Sequence, residues 1–415
     1  MRKTLAFLLI AIICISAIIA VLFINGTVFH KTIVVPDDFS TIQKAIDNAS
    51  AGDTIFVKKG TYPSDSIVIS KSVSLIGEDA NETIIQGQYY YHCPYSLWHT
   101  IIIEASDVLI YNFTITHCIY AITIDSPNAS GIQIIGNSFI GNPTAITASE
   151  VSNLLISQNY FSNNRLRAST QIGMFCNDSI ISHNVFSGNL KSISLTGENI
   201  SINDNLFVNN TFGIDISRAS TITIFANNFT SNIGYDSDSR DFGCIELAEN
   251  CNDTVIYEND IIGNTVGVNL RNFLIDSPER TEPVYRGSNN KIFNNNFINN
   301  SKNANVEHEW VYANSTSLET YTSGTAIVSW DNGSVGNYWS NYSGSGYYAI
   351  DENNVDYYPL TQQVSVEVPA PTPIPTQPNA VLIQPIAVTV AIISVVVSLL
   401  LYRRHRKPAS LSKKP

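Results

Sequence analysis

The sequence predicts an all-β fold, a right-handed parallel β-helix with coils of about 22 residues, a capping helix at its N-terminal end and a membrane-spanning helix at each terminus. The first observation behind this is an internal repeat. Phe139, Phe161, Phe186, Phe207, Phe229, Ile261 and Phe297 serve as register marks, spaced 22, 25, 21, 22, 32 and 36 residues apart. Five residues before each mark stands an isoleucine: Ile134, Ile156, Ile181, Ile202, Ile224, Ile256 and Ile292. Two residues before each stands an asparagine, from Asn137 to Asn295, and three residues after each stands another, from Asn142 to Asn300. Slots held so constant over seven copies mean that each copy occupies the same place in a stack. The second observation is periodicity. Ile200-Ser-Ile202 alternates with period two, and no helical pattern fits into the shortest coils. The third is a pair of long apolar runs, one near each terminus.

The elements follow in order. Residues 1–30 hold the apolar run Leu5–Ile24 behind Arg2 and Lys3. A cleaved signal peptide and an uncleaved anchor both fit; the length of the run, and the absence of a clean small-x-small site at its end, favour the anchor. Residues 31–363 form the exported β-helix, with a cap over 34–87, coils over 88–305 and a C-terminal cap over 306–363. In the first cap, Ser40-Thr-Ile-Gln43 reads as a capping box, and Ile42, Ala45, Ile46 and Ala49 make one apolar helix face. Short strands such as Ile132–Ile134 and Ile222–Ile224 alternate with Asn/Gly/Ser turns. Stacking puts Ile on Ile and Phe on Phe at about 4.8 Å. Turn asparagines tolerate left-handed backbone angles, and their side chains bond to the asparagine one coil away as a ladder. Residues 364–380 are a stalk, semi-rigid where Pro369–Pro378 is proline-rich. Val381–Tyr402 is an uncharged 22-residue run, about 33 Å as a helix and long enough to span a bilayer. The tail 403–415, with Arg403, Arg404, Arg406 and Lys407, belongs in the cytoplasm and places the β-helix on the extracellular side of the cell membrane.

Composition excludes some partners. The formal net charge is −12 with 14% charged residues, which disfavours nucleic acid and gives polyuronates a poor surface. Abundant Asn, Ser, Thr and Tyr suit hydrogen bonding to polysaccharide or other cell-envelope components. Asn-x-Ser/Thr triplets at Asn81, Asn112, Asn128, Asn177, Asn252, Asn314 and Asn341 are candidate glycan acceptors on an exported glycoprotein, with Asn112 and Asn228 poorly placed beside core anchors. Six cysteines show no disulfide framework; Cys176 and Cys251 share a repeat slot three coils apart, too far to bond, and Cys93 with Cys118 is open.

The run Val35-Pro-Asp-Asp-Phe-Ser-Thr-Ile-Gln-Lys-Ala-Ile46, then Ala51-Gly-Asp-Thr-Ile-Phe-Val57 and Gly60-Thr-Tyr62, resembles the opening of pectin-lyase-like β-helix proteins. Trp330-Asp-Asn-Gly333, Gly336-Asn-Tyr-Trp-Ser-Asn-Tyr342 and Asp356-Tyr-Tyr-Pro-Leu360, with the repeats, resemble the NosD-like β-helix (PbH1 repeat) proteins of archaeal and bacterial surfaces. The resemblance covers roughly Val34–Thr361. Many members carry a glycine-aspartate-rich stretch after the Asn-Tyr-Trp motif; only Ser343-Gly-Ser-Gly346 stands here, which puts metal binding by that stretch in doubt. The resemblance implies a role in copper-site assembly, and copper calls for clustered His, Met or Cys. The chain has two methionines and seven scattered histidines, and its one cluster is His92, Cys93, His99, His117 and Cys118, a candidate copper or zinc set.

Two insertions interrupt the repeat. Tyr235–Phe242 holds Asp236, Asp238 and Asp241 around Arg240, and Asn272–Gly287 holds Asp276, Glu279, Arg280, Glu282 and Arg286. Paired carboxylates hydrolyse glycosides or hold Ca²⁺, and an arginine can act as a lyase base. Solvated polar loops have the same composition, so Asp236, Asp238, Arg240 and Asp241 are weak catalytic candidates and no cofactor is required. The sequence favours a surface binding or scaffold module for glycans or envelope partners, without catalysis, over a polysaccharide lyase or hydrolase, and either over a copper accessory protein.

Overall fold

The computed structural model describes residues 30–64, 66–87, 99–127, 129–164, 169–234, 243–248, 250–271, 287–306, 309–314, 317–321 and 328–366. Within them the chain winds as a parallel β-helix with three faces. A coil is seen in one pass from Gln133–Ile135 on the first face, through Ser138–Ile140 on the second, to Thr144–Ser152, which begins on the third. The second face is an eleven-stranded sheet among the described residues, and the other two merge into one larger sheet. They merge because Thr170–Ser182, Lys191–Asn203 and Phe212–Phe225 each turn the corner as one continuous strand. The strands expected at Ile132–Ile134 and Ile222–Ile224 are therefore Gln133–Ile135 and the end of Phe212–Phe225.

Each face contributes to the interior, since alternate residues of a strand point inward. On the first face Ile134, Ile156, Ile181, Ile202, Ile224, Ile256 and Ile292 are in register and fully buried. On the second, the rings from Phe139 to Phe229 stack with centroids 4.9, 4.7, 4.8 and 4.6 Å apart. On the third, Ile122, Ile146, Ile172, Ile193, Ile214, Ile245 and Val268 line up. The isoleucine and register-mark slots read from the sequence are the first two of these columns; the third was not read there.

Asparagine ladders occupy the two turns beside the second face. Asn205 is typical: its Oδ1 accepts the Asn184 backbone N–H at 2.9 Å and the Asn184 amide at 3.0 Å. Its own amide donates to Ile181 O and Asn203 O at 2.9 Å and to Asn227 Oδ1 at 3.0 Å. From Asn137 to Asn295 and from Asn142 to Asn264 the rungs are buried, and their amides meet corner groups that solvent does not reach. One expectation is corrected here. The ladder asparagines do not hold the left-handed angles; the residue before each one does. That position is Gly136, Gln158 (φ 58), His183 (φ 57), Asp204 (φ 56), Ala226 (φ 52), Glu258 (φ 53) and Asn294 (φ 58) along the first ladder. The asparagine itself is needed for its side chain.

The ends of the stack differ from its middle. Helix Ile42–Asp47 buries Ile42, Ala45 and Ile46. Its N-cap is Thr41, which accepts from Lys44 N at 3.2 Å, one residue later than the capping box expected at Ser40. Gln43, the expected reciprocal partner, is engaged elsewhere: its Oε1 accepts Val68 N at 2.7 Å. At the other end Trp339 stacks on Phe297 at 4.3 Å, and Asn337 adds a last rung to the first ladder. Asp356 terminates that ladder, accepting Asn337 N at 2.7 Å and Trp339 Nε1 at 2.8 Å. Gly336 is obligatory because a Cβ there would lie 1.8 Å from Asp356 Oδ1. The Gly-Asn-Tyr-Trp and Asp-Tyr-Tyr motifs are thus one terminating device.

Burial raises the Asp356 pKa above the ordinary 3.8, against the pull of its donors Asn337, Trp339 and Tyr358. The folded chain therefore takes up this proton at a higher pH than the unfolded chain. The stability due to this group falls as pH rises from 3.8 to the raised value, and the charge penalty is complete above it. We expect Asp356→Asn to remove this slope, read as the difference from wild type in denaturant midpoint between about pH 7 and about pH 4.

The apolar runs Leu5–Ile24 and Val381–Tyr402, the stalk Pro369–Pro378 and the basic tail lie outside the described residues. Among the described residues no helix is long and apolar enough to cross a membrane.

Candidate functional site

The candidate metal ligands fall into repeat slots. His117 holds the left-handed turn position (φ 57). Cys118 takes a ladder slot: its N–H donates to Asn142 Oδ1 at 3.0 Å and its thiol to Thr116 O at 3.2 Å. Burial pushes that thiol up to about 11, so it is not a thiolate at neutral pH. His99 lies on the third face, stacked on Tyr120 at 4.9 Å with Nδ1 2.7 Å from Thr123 Oγ1, and burial lowers its pKa. His92 and Cys93 lie outside the described residues. Among the described residues no three His, Cys, Asp or Glu groups come together to hold a metal ion. The described thiols Cys118, Cys176, Cys244 and Cys251 are buried. Burial also raises the last three, Cys176 to about 11 and Cys251 to about 12. Among the described residues this donor set does not fit copper.

The outer side of the third face carries paired charges. Strand alternation turns Asp215, Glu246, Asn269 and Asn305 outward on successive coils. Lys191 Nζ lies 2.6 Å from Asp215 Oδ2, and also 5.6 Å from the centre of the Phe212 ring. Arg271 Nη2 lies 2.6 Å from Glu246 Oε1, with both side chains largely buried. Asn305 donates to Asn269 Oδ1 at 2.9 Å. The catalytic candidates Asp236, Asp238, Arg240 and Asp241, and the charged residues of the second insertion, lie outside the described residues. Their attachment points are informative. The first segment joins Gly234 to Gly243, before strand Ile245–Leu247, and the second leaves after Arg271, just beyond strand Val266–Leu270. They enter at different corners, but both corners bound this one face.

A second site forms where the last coil meets the C-terminal cap. Tyr348 stacks on Trp339 at 4.3 Å, which places the hairpin of Tyr348–Ala349 and Val355–Asp356 over the end of the stack. A cleft of about 460 Å³ remains between that hairpin and the turn at Asn299–Ala304. Its lining is mostly amide and hydroxyl, from Asn299, Ser301, Asn303, Ser340, Asn341 and Tyr348, with Lys302 the one charged side chain. Asn303 Nδ2 donates to Asn341 Oδ1 and to Tyr348 Oη, each at 3.1 Å, and Tyr348 Oη donates to Asn341 Oδ1 at 3.1 Å. These groups both give and accept hydrogen bonds, as a polyhydroxyl ligand requires. Sequence reading missed this site; its only trace was the Asn-Tyr-Trp-Ser-Asn-Tyr motif, taken there as a cap alone.

Comparison with known proteins adds a family. A family model described as periplasmic copper-binding protein (NosD) matches residues 46–272 and 239–344. No curated protein matches the chain. Among solved structures, ORF18 of Geobacillus virus E2 is 15% identical with a TM-score of 0.44, over 66% of this chain and 57% of that one. This chain thus spans little more than half of the viral protein. A mannuronic-acid-specific family 6 polysaccharide lyase from human gut microbiota is 17% identical with a TM-score of 0.45, over 68% of this chain and 78% of that one. Polygalacturonase from Erwinia carotovora is 11% identical with a TM-score of 0.42, over 68% and 95%.

Proposed function

Because the chain belongs to the NosD family of parallel β-helix proteins, we propose that it is an exported, membrane-anchored binding module that holds neutral glycan at its C-terminal cleft. The observation that carries this reading is the lining of that cleft, amides and hydroxyls with a single cation in about 460 Å³. Anchoring rests on the apolar run Val381–Tyr402 and the basic residues after it. The coil is taken as right-handed, as parallel crossovers nearly always are, and helix Ile42–Asp47 as the cap of its open end. The test is titration of the full chain in detergent with a panel of neutral and acidic oligosaccharides. Asn303→Ala with Asn341→Ala should weaken neutral-glycan binding roughly tenfold to a hundredfold while leaving the melting temperature near wild type. Undiminished binding by this variant excludes the cleft.

A second reading, a polysaccharide lyase or hydrolase, is favoured by Asp215 and Glu246 standing on adjacent coils of one face. Each already neutralises a cation, which suits a structural role at least as well. Incubation with the same panel separates the readings. Reducing ends or unsaturated sugars produced by wild type, and lost when Asp236, Asp238, Arg240 and Asp241 all become Ser, would establish the enzyme. The copper accessory role has no described ligand set to support it.

A further inference from the structure

The three most exposed of the large apolar and aromatic side chains among the described residues stand together on the C-terminal cap. They are Tyr347, Tyr357 and Tyr358, at 63%, 66% and 47% exposure. The hairpin explains them. Tyr348 and Asp356 pair across it and point at Trp339, so Tyr347 and Tyr357, one step along each strand, are turned away from the core. Leaving two tyrosine rings in water gives up burial that the same hairpin achieves with Tyr348.

Ring geometry separates this pair from the stacked aromatic pairs on the outer surface. His99 with Tyr120, and Phe225 with Tyr257, lie stacked at 14° and 7°, each ring covering its neighbour. Tyr347 and Tyr357 have centroids 6.4 Å apart and planes tilted by 55°, so neither covers the other's face. Open aromatic faces at that angle receive an alkylammonium or guanidinium group. Residues 303–366 contain no Lys or Arg. The same cap carries Asp331, Asp351 and the exposed Glu352, and Asp331 Oδ2 accepts the Tyr357 backbone N–H at 3.2 Å, which fixes that carboxylate at the Tyr357 backbone.

We infer that the outer side of this hairpin is a docking surface for a cationic polypeptide segment, with an Arg or Lys side chain seated between Tyr347 and Tyr357 and held by the surrounding carboxylates. The surface is separate from the glycan cleft, which uses the inward Tyr348. Tyrosine contributes contact area at little entropic cost, and the carboxylates steer a basic segment toward it and repel an acidic one.

The test uses the full chain at physiological salt and a short peptide alternating Arg with Gly, with the Glu analogue as control. Wild type should bind the Arg peptide and not the Glu peptide. Tyr347→Ser with Tyr357→Ser should weaken binding about tenfold at an unchanged melting temperature, because both rings are exposed. Tyr347→Phe with Tyr357→Phe should keep most of it, since the ring face and not the hydroxyl does the holding. Equal affinity for wild type and the Ser variant would reduce the effect to general attraction by an acidic protein and overturn the proposal. So would failure of wild type to bind, or a neutral oligosaccharide that displaces the peptide from the tyrosines.

Discussion

Ile202→Asp should abolish folding of the β-helix. Ile202 is fully buried between Ile181 and Ile224 in the first-face column. Its neighbours in that column are aliphatic, so a carboxylate there has no cation or donor to satisfy it. Desolvating an unpaired charge costs more than the roughly 5–15 kcal/mol that holds a typical domain together. Ile202→Ala is the graded version and should cost about 2–5 kcal/mol, depending on how far the coils collapse into the space. Secretion yield and chemical denaturation read both. A soluble Ile202→Asp protein with a cooperative transition would show that the register is wrong.

Asn205→Ala should be nearly as damaging, through hydrogen bonds alone. The substitution removes the acceptor used by the Asn184 backbone N–H and the donor used by Ile181 O, both in a turn closed to solvent. Each buried group left unsatisfied costs about 1–3 kcal/mol, so the two together should cost roughly 2–6 kcal/mol. Asn205→Asp keeps the acceptor but points a carboxylate at Ile181 O and Asn203 O, and should not rescue. Asn163→Ala is the matched control: Asn163 is exposed at a left-handed turn position (φ 60), outside the ladders, and its loss should be felt far less. Similar destabilisation by Asn163→Ala and Asn205→Ala would remove the ladder from the account.

The sequence disclosed what every coil needs identically. Ile202, Phe207, Asn205 and Asn210 recur in their slots because a packing column or a ladder rung tolerates few substitutes, Ile261 for Phe and Cys118 for Asn among them. The left-handed turn positions were illegible for the opposite reason: Gln158, His183, Ala226 and Glu258 all occupy one, so no residue type marks it. That freedom also explains His117, one of the candidate metal ligands, which stands at a turn position with Cys118 in the ladder slot after it. The helix start moved by one residue because Gln43 was drawn to strand Ile67–Ile69, a contact that no local motif records. The cleft was invisible for a related reason. Asn303 and Asn341 are 38 positions apart and meet only when the cap closes over the last coil. Asp215 and Glu246 likewise read as unconnected acids until the stacking register makes them neighbours.

Amide hydrogen exchange of the full chain, with and without a saturating neutral oligosaccharide, tests the functional account most directly. The cleft reading predicts added protection confined to residues 299–304 and 340–350, where Asn299–Ala304, Ser340, Asn341 and Tyr348–Ile350 line the space. Protection instead along the third face, around Lys191–Asp215 and Glu246–Arg271, would contradict it and place the ligand on the charged wall between the two insertions.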